Sequence, residues 1–393
     1  MSDSSKASTA GLWQPGKHIP QLDGVRGWAI VIVTLYRFSK EMPTDTWYGQ
    51  ALHALFCLGD RGVDLFFVLS GFLITGILID SQGSQGYFAN FLARRSLRIF
   101  PLYFVSLLLC LVVTPAIPAY RGLFAQAEQQ QVYLWSYLTN IKMSLEGHWC
   151  FGYLDHFWSL AVEEHFYLVW PAVLCCCTRS TALRLAGGLA LLAATSRIAF
   201  AAFSANGVAP DVLTLFRCDA LLIGGVLALA IRRPGGLAPI TPWARWLLPA
   251  ALAAGLAAAF GEKRLWTIPH TLWPVIWACL LIILLQARPE HLVARFFNAP
   301  GLRKLGTLSY AMYVFQSPLI PVIGLVMTAD QCAAWAGNAV LGTLIYMGLM
   351  FGLTYAAALL SWHCLESHCL KLKRWFPSHP QSSAPLRRVL FNA

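Results

Sequence analysis

The sequence is poor in charge. Of 393 residues, 12% are Asp, Glu, Lys or Arg and 57% are hydrophobic, whereas an ordinary soluble domain carries about 25% charged residues. That scarcity excludes a water-soluble globular chain. It predicts an all-α, polytopic integral membrane helix bundle, since helices satisfy their own backbone hydrogen bonds in lipid. An apolar leader is also missing. Residues 1–20 are polar, with Ser, Lys and Pro, so no cleavable signal peptide is expected and the first apolar segment acts as its own insertion signal. The chain has no Gly-rich phosphate loop, no Ser nucleophile elbow and no periodic repeat. Its 11 Cys lack metal-ligand spacing, so no metal is expected. Cys175, Cys176 and Cys177 are consecutive at a helix end and read as small apolar filler or acylation sites. Cys57, Cys150 and Cys332 fall in loops placed outside, where any two could pair.

What is present begins with apolar runs. About ten reach spanning or near-spanning length, over residues 27–47, 62–80, 99–117, 157–177, 181–203, 212–231, 245–260, 270–286, 306–327 and 336–362. The formal net charge is +11, but the cations flank apolar segments, so they speak for topology rather than for nucleic acid. With the N-terminus inside, the inner connections hold Arg94, Arg95, Arg98, Arg179, Arg184 and Arg232 among others. The outer ones hold fewer, such as Arg61, Arg121 and Lys142. Both termini are therefore expected in the cytoplasm. The expected organisation is a tail over 1–20, a membrane domain over 21–375 and a basic tail over 376–393, the last read as disordered.

Charged and small residues inside the apolar runs are the candidates for chemistry. Arg26 and Arg37 are eleven positions apart in LDGVRGWAIVIVTLYRF, about three helical turns and roughly 16 Å of rise, on nearly one face. Such a stripe belongs against a protein interior or a wet cavity, or else it is two snorkelling cations. The segment GVDLFFVLSGFLITGIL carries Asp64 near its start and the small pair Ser70 and Gly71 at its middle, where another backbone or a ligand can come close. RRSLRIFPLYF places Arg95 and Arg98 on one helix face. Paired guanidinium forks suit phosphate, and also serve as topology anchors. Pro101 is expected at the entry of the following helix. HFWSLAVEEHFYLVWP sets Glu163 beside Glu164, and at least one must point inward. Arg37, Arg197 or Arg217 are possible partners, and Arg217 and Asp219 are read as pairing with other helices. Residues 231–270 offer no site. Tyr310, Tyr313 and Gln316 follow on a late span, and Glu366 precedes the basic tail.

In this order, LDGVRG, GVDLFFVLSGFLITGIL, RRSLRIFPLYF, HFWSLAVEEHFYLVWP, RCDALLIGGVLA, LSYAMYV and the late Glu resemble the acyltransferase-3 family of integral membrane proteins, over about residues 22–375. The resemblance implies ten core helices in a bacterial inner (plasma) membrane. It implies transfer of an acyl group, usually acetyl, from cytoplasmic acyl-coenzyme A to a hydroxyl of a glycan, a lipid-linked saccharide or another acceptor. By that resemblance, Arg95 and Arg98 hold the coenzyme A phosphates. Ser70, Gly71 and Phe72 lie along its pantetheine arm. Arg26 matches the basic position of the first motif, and Glu163, Glu164 or Asp64 orient the base or balance the arginines. One position departs. Where the family has the His taken as general base, this chain has Arg37, and arginine stays protonated in proteins. Three expectations follow: an inactive substituted enzyme, a member using another base such as His53, His148 or His156, or a non-catalytic binding member. A transporter or flippase is the rival outside the family.

Overall fold

The computed structural model describes residues 18–260 and 267–377, and every regular element among them is helical. The principal helices are α1 (Pro20–Phe38), α2 (Gly62–Asp80), α3 (Tyr87–Leu108), α4 (Trp158–Cys175) and α5 (Arg179–Phe203). They continue with α6 (Thr214–Ala230), α7 (Thr241–Phe260), α8 (Thr267–Gln286), α9 (Pro300–Phe315) and α10 (Ala339–Ser361). Five helical stretches among the described residues are long and apolar enough to cross a membrane: Trp47–Asp80, Tyr87–Ala116, Arg179–Phe203, Ala209–Ala230 and Ala339–Trp375. Helix α5 turns Leu191, Leu192 and Phe203 outward, a display that suits lipid and not water. The chain is an integral membrane protein. The expected tails lie mostly outside the described residues.

Three boundaries differ from the apolar runs, each for a local reason. The run 27–47 is two elements. Helix α1 opens with Pro20 in its first turn, where a missing N–H is harmless. It stops at Phe38 ahead of the polar turn Ser39–Glu41, and a new helix, Trp47–Cys57, starts where the Thr46 hydroxyl accepts from the Gly49 N–H. Helix α3 starts at Tyr87, well before residue 99, so Pro101 sits inside it rather than at its entry. Arginine is a good helix former, and the helix runs through the Arg94 to Arg98 stretch. Near the C-terminal end, α9 stops at Phe315 and a separate short helix covers Leu319–Gly324. Pro318 stands between them and cannot continue the ladder.

Glycines set the closest helix approaches. A Cβ at Gly71 of α2 would overlap the Leu221 carbonyl of α6, and one at Gly224 of α6 would overlap the Val68 carbonyl of α2. Helices α1 and α9 meet likewise at Gly27 and Gly306, against the backbones of Leu302 and Asp23. These small-residue crossings bring backbones together where lipid supplies no hydrophobic drive. Ion pairs also tie neighbouring helices. Arg217 of α6 pairs with Asp64 of α2, and Arg197 of α5 pairs with Asp219 and reaches Thr271 of α8. Arg232 bonds both carboxylate oxygens of Asp80, at 2.8 and 2.5 Å. Cys57, Cys150 and Cys332 are free thiols.

Candidate functional site

Helices α1, α2, α3, α4 and α9 surround a cavity of about 110 Å3. Its charged and hydroxyl lining comes from Arg26, Ser70, Arg95, Arg98, Ser159, Glu163, Tyr167, Ser309, Tyr310 and Tyr313, set among apolar side chains such as Phe66, Phe67 and Leu69. The helical period explains the gathering. Arg95 and Arg98 are one turn apart on α3, and Ser159, Glu163 and Tyr167 recur every fourth residue on α4, so each set shares one face. Ser159 and Tyr167 are separated by about 12 Å of helix rise.

The cavity has two chemically distinct ends. At one, Arg95 lies 6.0 Å from the Tyr167 ring centroid, and the charges of Arg95 and Arg26 bear on Glu163. A smaller pocket lined by Ser81, Ser84, Asn90 and Arg94 adjoins there, sharing Arg95. At the other, the Tyr313 hydroxyl donates to the His156 carbonyl at 2.9 Å and lies 2.6 Å from Ser159 Oγ. Between them a hydroxyl chain crosses from α2 to α4. Ser70 Oγ is 2.6 Å from Tyr167 Oη, and Tyr167 Oη donates to Glu163 Oε2 at 2.9 Å.

Of the candidate residues from the sequence, Arg26, Ser70, Arg95, Arg98, Glu163, Tyr310 and Tyr313 line this cavity together. The others lie elsewhere. Asp64 is engaged by Arg217. Gly71 serves the α2–α6 crossing, and Phe72 is packed in the core. Glu164, next to Glu163 on a helix, is not part of the lining, though its charge bears on Tyr167 and Tyr310 in the lining as well as on Tyr103 and Tyr137. Arg37 is outside the lining, but its charge acts on Tyr313, His156 and Asp155 at the hydroxyl end.

Neither His53, beside Cys57, nor the exposed His148 reaches the cavity, and His156 is buried behind Tyr313. Arg197 and Arg217 are held by Asp219 and Asp64, so they are not the partners of Glu163. Tyr167 and His270 were not singled out from the sequence. The four-residue spacing from Glu163 could have flagged Tyr167. No local signal marks His270, whose Nδ1 accepts from Arg217 at 2.7 Å and Arg61 at 3.0 Å while its Nε2 meets Asp211 at 2.8 Å.

Comparison with known proteins agrees with the motif order. The O-acetyltransferase OatA of Staphylococcus aureus is 26% identical over 322 residues, covering 77% of this chain and 51% of the relative. The peptidoglycan O-acetyltransferase OatA of Listeria monocytogenes is 28% identical over 343 residues, covering 81% and 52%. The chain thus spans about half the length of the curated relatives it matches. No solved structure matches. The acyltransferase-3 model, described as an acyltransferase domain, matches residues 19–362, and the chain belongs to that family.

Proposed function

We propose that this chain is a membrane O-acyltransferase that takes an acyl group, acetyl by preference, from cytoplasmic acyl-coenzyme A and places it on a glycan hydroxyl. The observation that carries the reading is the convergence of Arg26, Arg95 and Arg98 on one cavity with Ser70, Glu163 and Tyr167. Guanidinium forks suit the donor's phosphates. The hydroxyl end, with Ser159 and Tyr313, suits a polar acceptor. The names of two relatives favour peptidoglycan as that acceptor. In this reading the principal helices cross a bacterial inner membrane ten times, with both termini in the cytoplasm and the arginine end inward. Arginine at position 37 cannot act as the base, so the proton is taken by a group lining the cavity.

The test is direct. The purified chain in lipid nanodiscs is given labelled acetyl-coenzyme A and soluble peptidoglycan fragments or other oligosaccharides. Acceptor-dependent O-acetyl esters are the expected product. Binding of the donor with no transfer to any acceptor and no thiol release would mark a non-catalytic member. Solute counterflow in liposomes without acyl transfer would mark a transporter.

A further inference from the structure

We propose that Ser70 is a covalent acyl carrier, activated by the chain Ser70–Tyr167–Glu163, so that transfer runs in two steps. The inference rests on the acyl-coenzyme A reading above. The hydrogen bonding assigns the direction of the protons. Tyr167 has one hydroxyl proton, and it donates that proton to Glu163 Oε2 at 2.9 Å. In the 2.6 Å contact between Ser70 Oγ and Tyr167 Oη, the serine is therefore the donor. A hydroxyl that donates into a phenol, which in turn donates into a carboxylate, has the arrangement of an activated nucleophile with its base. All three side chains line the cavity. The serine is held in place because its neighbour Gly71 is locked against the Leu221 backbone. Arg95, over the Tyr167 ring, supplies positive charge where negative charge develops.

A serine that carries the acyl group divides the transfer into two steps. In the first step, Ser70 Oγ bonds to the acyl carbonyl carbon and the carbon–sulfur bond breaks. The serine proton passes to Tyr167 as the tyrosine proton passes to Glu163, and the departing thiolate takes one proton back and leaves as free thiol. In the second step, the acceptor hydroxyl attacks the Ser70 ester. Its proton enters the same chain and returns to Ser70 Oγ as that oxygen leaves.

The experiment uses the full chain in nanodiscs with labelled acetyl-coenzyme A and no acceptor. The expected result is one thiol released per chain and a hydroxylamine-labile label on the peptide containing Ser70. Ser70→Ala should abolish the label and slow acceptor-dependent transfer roughly 1000-fold, with donor affinity unchanged. Should that variant fold poorly, Ser70→Cys preserves the volume and carries the label as a thioester. Tyr167→Phe should slow thiol release about 100-fold. Acceptor-dependent transfer with no thiol release in the absence of acceptor, label on another residue, or wild-type turnover in Ser70→Ala overturns the covalent route alone. A wild-type chain that binds no acetyl-coenzyme A overturns the donor reading and this proposal together.

Discussion

Arg95 of α3 lies over the ring of Tyr167 on α4, with 6.0 Å between the guanidinium carbon and the ring centroid. In the proposed reading, one cation therefore faces both the donor's point of entry and the hydroxyl chain. Replacing it removes a charge-assisted contact worth about 1.5–3 kcal/mol, or roughly a 10- to 100-fold loss of affinity. Arg95→Ala should weaken acetyl-coenzyme A binding by that factor, and the difference from wild type should shrink as salt rises. Calorimetric titration at two salt concentrations measures both. Equal affinity in the variant would reduce Arg95 to a topology anchor.

Asp64 and Arg217 make a different kind of pair. Both are almost wholly buried, at 1% and 3% exposure, and they join α2 to α6 away from the cavity lining. Removing one member leaves an uncompensated buried charge, which costs roughly 3–5 kcal/mol. Asp64→Asn should lower the thermal midpoint sharply, and the double change Asp64→Leu with Arg217→Met should recover much of it. The molecules that do fold should transfer acyl groups at the wild-type rate. A well-folded Asp64→Asn that has lost transfer would return Asp64 to the reacting centre.

The contrast between these acids shows what the sequence could and could not say. Local period was enough to place Arg95 with Arg98, to put Ser70 mid-helix, and to require that one of Glu163 and Glu164 turn inward. The span Gly62–Asp80 agrees with its apolar run end to end. Partners across helices were not legible. Ser70 and Tyr167 meet 97 residues apart, and which arginine neutralises Asp64 depends on the α2–α6 crossing that Gly71 and Gly224 permit. Helix ends were hidden for the opposite reason. Around Arg94 to Arg98 and Gln316 to Pro318, backbone chemistry overrode hydropathy.

Arg37 bears on the hydroxyl end of the cavity, the acceptor side of the proposed reading. Its charge acts on Tyr313, which lines the cavity, and on His156 behind it. A histidine there is a neutral imidazole able to accept a proton near working pH. Arg37→His should therefore raise acceptor-dependent transfer while leaving thiol release in the absence of acceptor unchanged. Stopped-flow thiol detection with and without acceptor separates the two steps. An equal gain in both, or in neither, would remove position 37 from the acceptor's path.

Asp155 offers a pH test in the turn ahead of α4. The Phe151 N–H donates to its Oδ1 at 2.8 Å. Burial nevertheless pushes this carboxyl up to about 6 from an ordinary 3.8, against that N–H and the charges of Arg37 and Lys40. The folded state therefore binds the proton more tightly than the unfolded chain does. Stability contributed here rises as pH falls through about 6 and levels off near the unfolded value, the reverse of a salt-bridged carboxylate. Asp155→Asn keeps the acceptor for Phe151 and removes the titration. The thermal midpoint of wild type should gain on the variant as pH is lowered from about 7 to about 5. Parallel curves across that window would mean that Asp155 is solvated in the folded protein.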